Sequence, residues 1–461
     1  MIPSRYKEIE IPEANPFAND ALGRDKFAAT LESIVSVYAE TGCVISLNGE
    51  WGTGKTTFVK MLSQDMRNKG YHPLYFNAWT NDFVSDPLVA LLSELKEIFP
   101  KTDKWDKVIT LGGKIAVDVV AQATKSIIEK KLGIDVKDIA KTISSDLKKG
   151  IDEYSEQKKA FEDFKQALQE YVTDNTTAPD KPVVFFVDEL DRCNPHFAVQ
   201  VLERIKHLFD IPNVIFVIVI NKHQLGHAVC GYYGSEGMDA DNYFRRFFDI
   251  ELTIPDVDLE KYIDVLYTAY DFDAVLDNSS RHSNYRLRQD AAAFRSILKY
   301  LLSTSNFDLR TIDKFFAYTR LALQTFGNSA LIYSDVYILM CYLKFANPQL
   351  YHEIVSHSTS SVNDLAWSLE SGLSDVIRKM QAQSFSIESL TGFFAHLIVM
   401  YMSDQRVNYN EHLFDQLEFS YIDKQLFLRF VELSEKAIEY SSASLNYVIE
   451  HIEIQNGLTV N

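Results

Sequence analysis

Gly49-x-x-x-x-Gly54-Lys55-Thr56, inside SLNGEWGTGKTTFVKML at residues 46–62, is a spacing with a specific chemistry. Glycines at 49, 52 and 54 let backbone N–H groups curl around phosphate oxygens. The N-terminus of the helix that follows the loop adds partial positive charge. Lys55 would reach the β- and γ-phosphates, and the Thr56 hydroxyl would hold Mg²⁺. A second stretch, KPVVFFVDELDRCNP at 181–195, ends an apolar run in two acids, Asp188 and Glu189. Asp188 is placed to hold Mg²⁺, directly or through water. Glu189 is placed to polarise an attacking water as general base. Asp191 is a second acidic candidate, with a salt bridge to Arg192 as its ordinary role.

These residues act only if secondary structure aims them. CVISL at 43–47 is a β-branched run leading into the glycine loop. Phe58, Met61, Leu62 and Met66 follow at helical spacing. The motif thus lies between a strand and a helix, which is the context it requires. Val183–Val187 is uniformly apolar, as expected for a strand buried on both faces. Carboxylates at such a strand's C-terminal end face the phosphate loop in doubly wound folds. A third apolar strand, 214–220, ends in Asn221.

Three further sites are similar to positions in AAA-like ATPases. Asn221 corresponds to the sensor-1 residue that orients the lytic water. Arg245 and Arg246, in DNYFRRFFDIELTIP at 241–255, stand where an arginine reaches a neighbouring subunit's nucleotide. Arg310, opening an amphipathic helix in NFDLRTIDKFFAYTRLAL, stands where a sensor-2 arginine meets the γ-phosphate.

The motifs together resemble the KAP family of P-loop NTPases, within the additional-strand catalytic-glutamate group. The match rests on GEWGTGKTT, on YFNAW at 75–79 followed by DPLVALLSEL, on VDELDRCNP and on YFRRFFDIELTIP. It covers about residues 15–330. Family members often carry Asp-Asp-Leu-Asp-Arg where this chain has Asp188-Glu189-Leu190-Asp191-Arg192, so an acid is kept at the base position. The resemblance implies that Gly49, Glu50, Trp51, Gly52, Thr53, Gly54, Lys55, Thr56 and Thr57 cradle ATP with Mg²⁺. It implies catalytic roles for Lys55, Glu189, Asn221, Arg245, Arg246 and Arg310, and base-side contacts at Leu22–Arg24. It further implies a homo-oligomer in a bacterial or phage-type setting, often an anti-phage defence system. There it would act as a switch or motor on a separate effector.

Many KAP proteins carry transmembrane helices between the two phosphate motifs. Here that insert, 101–180, is polar: Lys107, Lys114, Asp118 and Lys125 interrupt its most apolar part. It cannot span a bilayer, which takes about 20 apolar residues. It is expected instead as amphipathic helices, KIAVDVVAQATKSIIEKKLGI and EYSEQKKAFEDFKQALQEYV. Leu321–Ser334 and Leu390–Ser403 are too short to span and are expected as buried helices.

Bulk properties bound the partners. The 461 residues are 46% apolar, a globular composition, with a formal net charge of -18. That argues against a nucleic-acid coat over the whole surface. Residues 101–160 nevertheless hold 13 Lys against 10 Asp or Glu, so a local basic face stays open. Four cysteines without CxxC spacing point to reduced thiols in a cytoplasmic protein. His223 and His227 in HQLGH lack the glutamate of a zinc protease. NKHQ at 221–224 lacks the aspartate that reads guanine, which favours ATP over GTP.

The expected fold is α/β: a P-loop NTPase, AAA-like parallel sheet of about five strands with helices on both faces. Its two parts are 1–100 and 181–260, around the helical insert at 101–180. A helical lid at 261–330 and a helical C-terminal domain at 331–461 follow. The expected function is Mg-dependent ATP hydrolysis. A nucleotide-gated scaffold and a nucleic-acid-stimulated ATPase are the alternatives.

Overall fold

The structure is a computed structural model. It describes residues 9–84, 86–98, 102–117, 149–176, 178, 180–206, 211–234, 237–382, 387–410, 412–439 and 444–454. The chain divides into two units, Ile9–Asp256 and one running from Val257.

The first unit is built on five parallel strands. They are β1 (Cys43–Asn48), β2 (His72–Asn77), β3 (Val183–Asp188), β4 (Val214–Ile220) and β5 (Ile250–Thr253), in the order β2-β3-β4-β1-β5. Parallel neighbours need long crossovers; helices supply them, and one further helix, α1 (Asp25–Val37), precedes β1. The others are α2 (Lys55–Asn68), α3 (Pro87–Ile98), α4 (Asp103–Val117), α5 (Lys149–Asn175), α6 (Pro195–Lys206), α7 (Lys222–Tyr233) and α8 (Ala240–Phe244). Strand alternation splits the core in two. Ile45, Leu47, Val184, Phe186, Val217 and Val219 point to one face, where Leu31, Val35, Phe58 and Leu62 of α1 and α2 cover them. Val44, Phe185, Val187, Phe216 and Ile218 point to the other face, toward residues of α3 to α8. The apolar runs read as doubly buried strands are so: every residue of β3 and β4 is buried.

Within YFNAW the strand ends at Asn77, and a 3-10 turn, Trp79–Asn81, takes the chain off the sheet. Of the two expected insert helices, residues 153–172 fall within α5. The other, 114–134, lies almost wholly outside the described residues.

The second unit is helical. The segments 261–330 and 331–461 contribute to one hydrophobic core, which joins Phe272, Phe294 and Phe316 to Tyr337, Phe394 and Val448. The break expected at 303–306 is present between Tyr285–Ser303 and Leu309–Leu323, and Asp308 caps the second helix. Residues 390–403 lie within the helix Ile387–Asp404. Residues 321–334 do not form one helix. The first helix stops at Leu323 and the next, Ser334–Ala346, begins after a turn with Tyr333 at φ 55°. Gly327-Asn328-Ser329, residues of low helix propensity, fill the gap. Among the described residues no helix is long and apolar enough to cross a membrane.

Candidate functional site

Strand register brings the chemistry to one sheet edge. β4 lies between β3 and β1, with Asn48 opposite Ile220 and Asp188 opposite Val219. The C-terminal tips of β1, β3 and β4 therefore end side by side, and each hands over to one candidate group. These are the Gly49 loop, the Asp188-Glu189 pair and Asn221.

The loop has the backbone its glycines were expected to permit. Gly52 and Gly54 adopt φ 77° and 80°, the left-handed region that side chains disfavour. A Cβ on Gly49 would lie 2.6 Å from Ile254 Cγ2, so the strand-to-loop exit has no room for one. Gly54 opens α2, a 14-residue helix whose N-terminal amides face the loop. Lys55 is buried and folds back along the loop, with Nζ donating to the carbonyls of Gly49 at 2.6 Å and Glu50 at 2.9 Å. Burial pulls the lysine below its ordinary value, against the attraction of Asp191, Asp188 and Glu189. A desolvated ammonium beside a ring of amides favours an anion.

Across from the loop, Asp188 is 2% exposed. Its carboxylate accepts from the Tyr75 hydroxyl at 2.9 Å, from the Glu189 amide at 2.8 Å and from the Thr56 hydroxyl. Burial raises its pKa, against these hydrogen bonds and Lys55. Glu189 is raised too, by burial first and then by Asp188, while Arg192 pulls the other way. Glu189 has φ 62°, the left-handed region, so its own turn is strained. The Thr56 hydroxyl lies 3.4 Å from Glu189 Oε1. Lys55, Thr56, Asp188 and Glu189 are thus one cluster, as their motifs implied. Thr57 follows Thr56 in the first turn of α2.

Asn221 is buried at the third tip. Its amide nitrogen donates to Glu50 Oε2 at 2.8 Å, and its oxygen caps α7 by accepting from the Gln224 amide at 3.2 Å. The sensor-1 candidate therefore touches the phosphate loop itself. Lys222, one residue on, bridges Glu251 at 2.6 Å and Asp241 at 2.9 Å. Arg245 and Arg246 lie just after α8, and both are exposed. Arg310 is exposed at the start of its helix in the second unit.

One expectation needs correction. Arg192 does not pair with Asp191. Its Nε contacts Glu189 Oε2 at 2.6 Å, while Asp191 Oδ2 accepts from Trp51 Nε1 at 2.5 Å. The 3-10 turn Leu190–Arg192 causes this, because it turns residue i+3 back onto residue i. The Arg24 side chain, expected with Leu22 and Gly23 on the base side, is turned to the phosphate loop. It is 3% exposed, and its guanidinium donates to the carbonyls of Thr53 at 2.7 Å and Pro255 at 3.1 Å. Burial brings it down to about 10 despite Asp20 and Asp256. It works as a clamp on the phosphate loop.

Sequence reasoning also missed Tyr75. Its place two residues before Asn77 in YFNAW was visible, but its pairing with Asp188 depends on β2 lying beside β3. His223 and His227 stack edge to face, 4.5 Å between ring centres, within α7. Among the described residues no group of three or more His, Cys, Asp or Glu is placed to hold a metal unaided.

No curated protein matches the chain. Among solved structures, the Aeropyrum pernix ORC2 protein in its ADPNP-ADP complexes aligns at 12% identity and TM-score 0.30, over 94% of each chain. Its ADP form aligns at 12% identity and TM-score 0.31, over 99% of this chain and 97% of that one. Residues 24–324 match the KAP family P-loop domain, and the chain belongs to that family.

Proposed function

We propose that the chain is a Mg-dependent ATPase that works as an oligomeric switch. One observation carries this reading: the buried Lys55 ammonium and the Thr56 hydroxyl stand against the Asp188-Glu189 pair across a left-handed glycine loop.

The residues suit both implied ligands. Hydroxyl and carboxylate oxygens at Thr56 and Asp188 are hard donors of the type magnesium takes, and phosphate oxygens would complete the shell. Two adjacent carboxylates with raised pKa values gain most from a nearby cation. When bound, magnesium would be held by Thr56 and Asp188 and would neutralise developing charge. The protein's own work is separable. Loop amides and Lys55 bind phosphate. Tyr75 orients Asp188. Glu189 takes the proton of the attacking water, and Asn221 reports through Glu50 whether the γ-phosphate position is filled.

Arg245 and Arg246, being exposed, are proposed to enter a neighbouring subunit's site, and Arg310 to act from a lid at 261–330. A separate effector protein is proposed as the partner, in keeping with a defence role. A scaffold with little turnover is the second reading, favoured by the Arg192 contact on Glu189.

The test is the solution mass of Glu189→Gln by light scattering, with and without Mg-ATP, beside turnover of wild type and Glu189→Gln. Growth to a homo-oligomer with Mg-ATP and turnover only in wild type are expected. Equal background turnover in both would remove the enzyme reading. An unchanged monomer would remove the trans-arginine role.

A further inference from the structure

Glu189 is proposed as the base, yet its Oε2 is buried against Arg192 rather than turned to a water. Oε2 is 2.6 Å from Arg192 Nε, with only 15% and 25% of the two side chains exposed. Oε1 faces the Thr56 hydroxyl at 3.4 Å. A base that activates water needs one oxygen turned to that water. Arginine stays charged, so it cannot release the carboxylate by losing a proton. It can release it only by moving.

The surroundings give it a direction. The Arg192 guanidinium already lies 5.7 Å from the centre of the Trp79 ring, and that ring is 51% exposed. An aromatic face holds a guanidinium without demanding a fixed position. On the other side, Trp51 of the phosphate loop holds Asp191. The short turn Leu190–Arg192 is therefore fastened to the loop at one residue and rests on an exposed ring at the next. The left-handed backbone of Glu189 adds strain at the point where the carboxylate would swing.

We propose that Arg192 is a positioning residue that acts through Glu189. It latches the carboxylate away from the attacking water until the phosphate loop is loaded, then slides off along the Trp79 ring. Loading would turn the Thr56 hydroxyl from Glu189 to the metal and phosphates, and would leave Arg192 as the contact whose movement frees the carboxylate. This inference rests on the ATPase reading above.

The test has two arms. The first needs no turnover. The Trp79 emission is isolated as the difference between wild type and Trp79→Phe, in the full-length protein. Glu189→Ala is expected to change its wavelength or acrylamide quenching, because Arg192 loses its anchor. Mg-ATP, or Mg-ADP, added to wild type is expected to produce the same change. In the second arm, Arg192→Ala is expected to raise kcat about threefold or more with KM within about twofold, and Arg192→Lys to fall between it and wild type. Two results overturn the latch. One is a Trp79 signal indifferent both to Glu189→Ala and to Mg-nucleotide. The other is a kcat that drops in Arg192→Ala and recovers in Arg192→Lys, which would make the cation a support of the chemistry. If wild type and Glu189→Gln share background turnover, the ATPase reading fails. The emission arm then still decides whether loading releases Arg192. Arg192→Lys and Glu189→Ala keep the test open should Arg192→Ala not fold.

Discussion

Arg24 Nη1 donates to the Thr53 carbonyl oxygen at 2.7 Å, which ties the start of the domain to the tip of its phosphate loop. Nη2 reaches Pro255 at the domain's other end, so one buried guanidinium joins three distant segments. Arg24→Gln should weaken Mg-ATP binding about tenfold, since a charged hydrogen bond is worth about 1.5–3 kcal/mol. The loss should be equal for ATP and GTP in titration calorimetry. A loss confined to one base would return Arg24 to the role of base contact.

Tyr75 holds Asp188 by a single hydroxyl. Tyr75→Phe keeps the ring and deletes that bond. About 1 kcal/mol is at stake. The Mg²⁺ concentration for half-maximal nucleotide binding should rise several-fold, while binding measured without metal stays the same. Equal Mg²⁺ dependence in the two proteins would separate Tyr75 from the metal site.

Asn221 caps α7 and contacts Glu50 with opposite ends of one amide. Asn221→Ala should cost about 1 kcal/mol of stability through the cap. Glu50→Gln keeps the cap, so its melting temperature should stay near wild type while Mg-ATP affinity changes. If both variants melt alike, the cap is not what Asn221 contributes.

His396 Nδ1 and Asp335 Oδ2 are 2.7 Å apart in the second unit. Burial alone would lower the imidazole, but Asp335, helped by Asp290, outweighs it and holds the folded value above the ordinary 6.5 or so. Burial alone would raise Asp335, but His396 outweighs it and holds the carboxyl below its ordinary value. The histidine's contribution is therefore complete below about pH 6.5 and is lost as pH rises through its raised folded value. The aspartate's contribution is present above about pH 4 and is lost as pH falls through its depressed one. His396→Gln should destabilise by about 1–3 kcal/mol between these limits. The gap to wild type should close toward alkaline pH in urea unfolding. A gap constant from pH 5 to 9 would show that the pair is uncharged.

Chain order alone determined much of this protein. The glycine spacing, the two acids ending an apolar strand and the period-2 and helical patterns are local rules, and each reads from a few consecutive residues. They placed Lys55, Thr56, Asp188 and Glu189, the α/β class and the helical second half. What the tertiary structure decided lies between residues far apart in the chain. Arg24 meets partners 29 and 231 positions away, Asn221 meets Glu50 across 171, and Tyr75 meets Asp188 across 113. Those contacts follow from the order in which β2, β3, β4 and β1 lie side by side, set by the packing of two separate cores. Local periodicity states that a strand is buried on both faces. It does not state which strand lies next to it. Even the short-range partner of Arg192 follows this rule, because the choice between Asp191 and Glu189 depends on a turn that Trp51, 140 residues from Asp191, helps to hold.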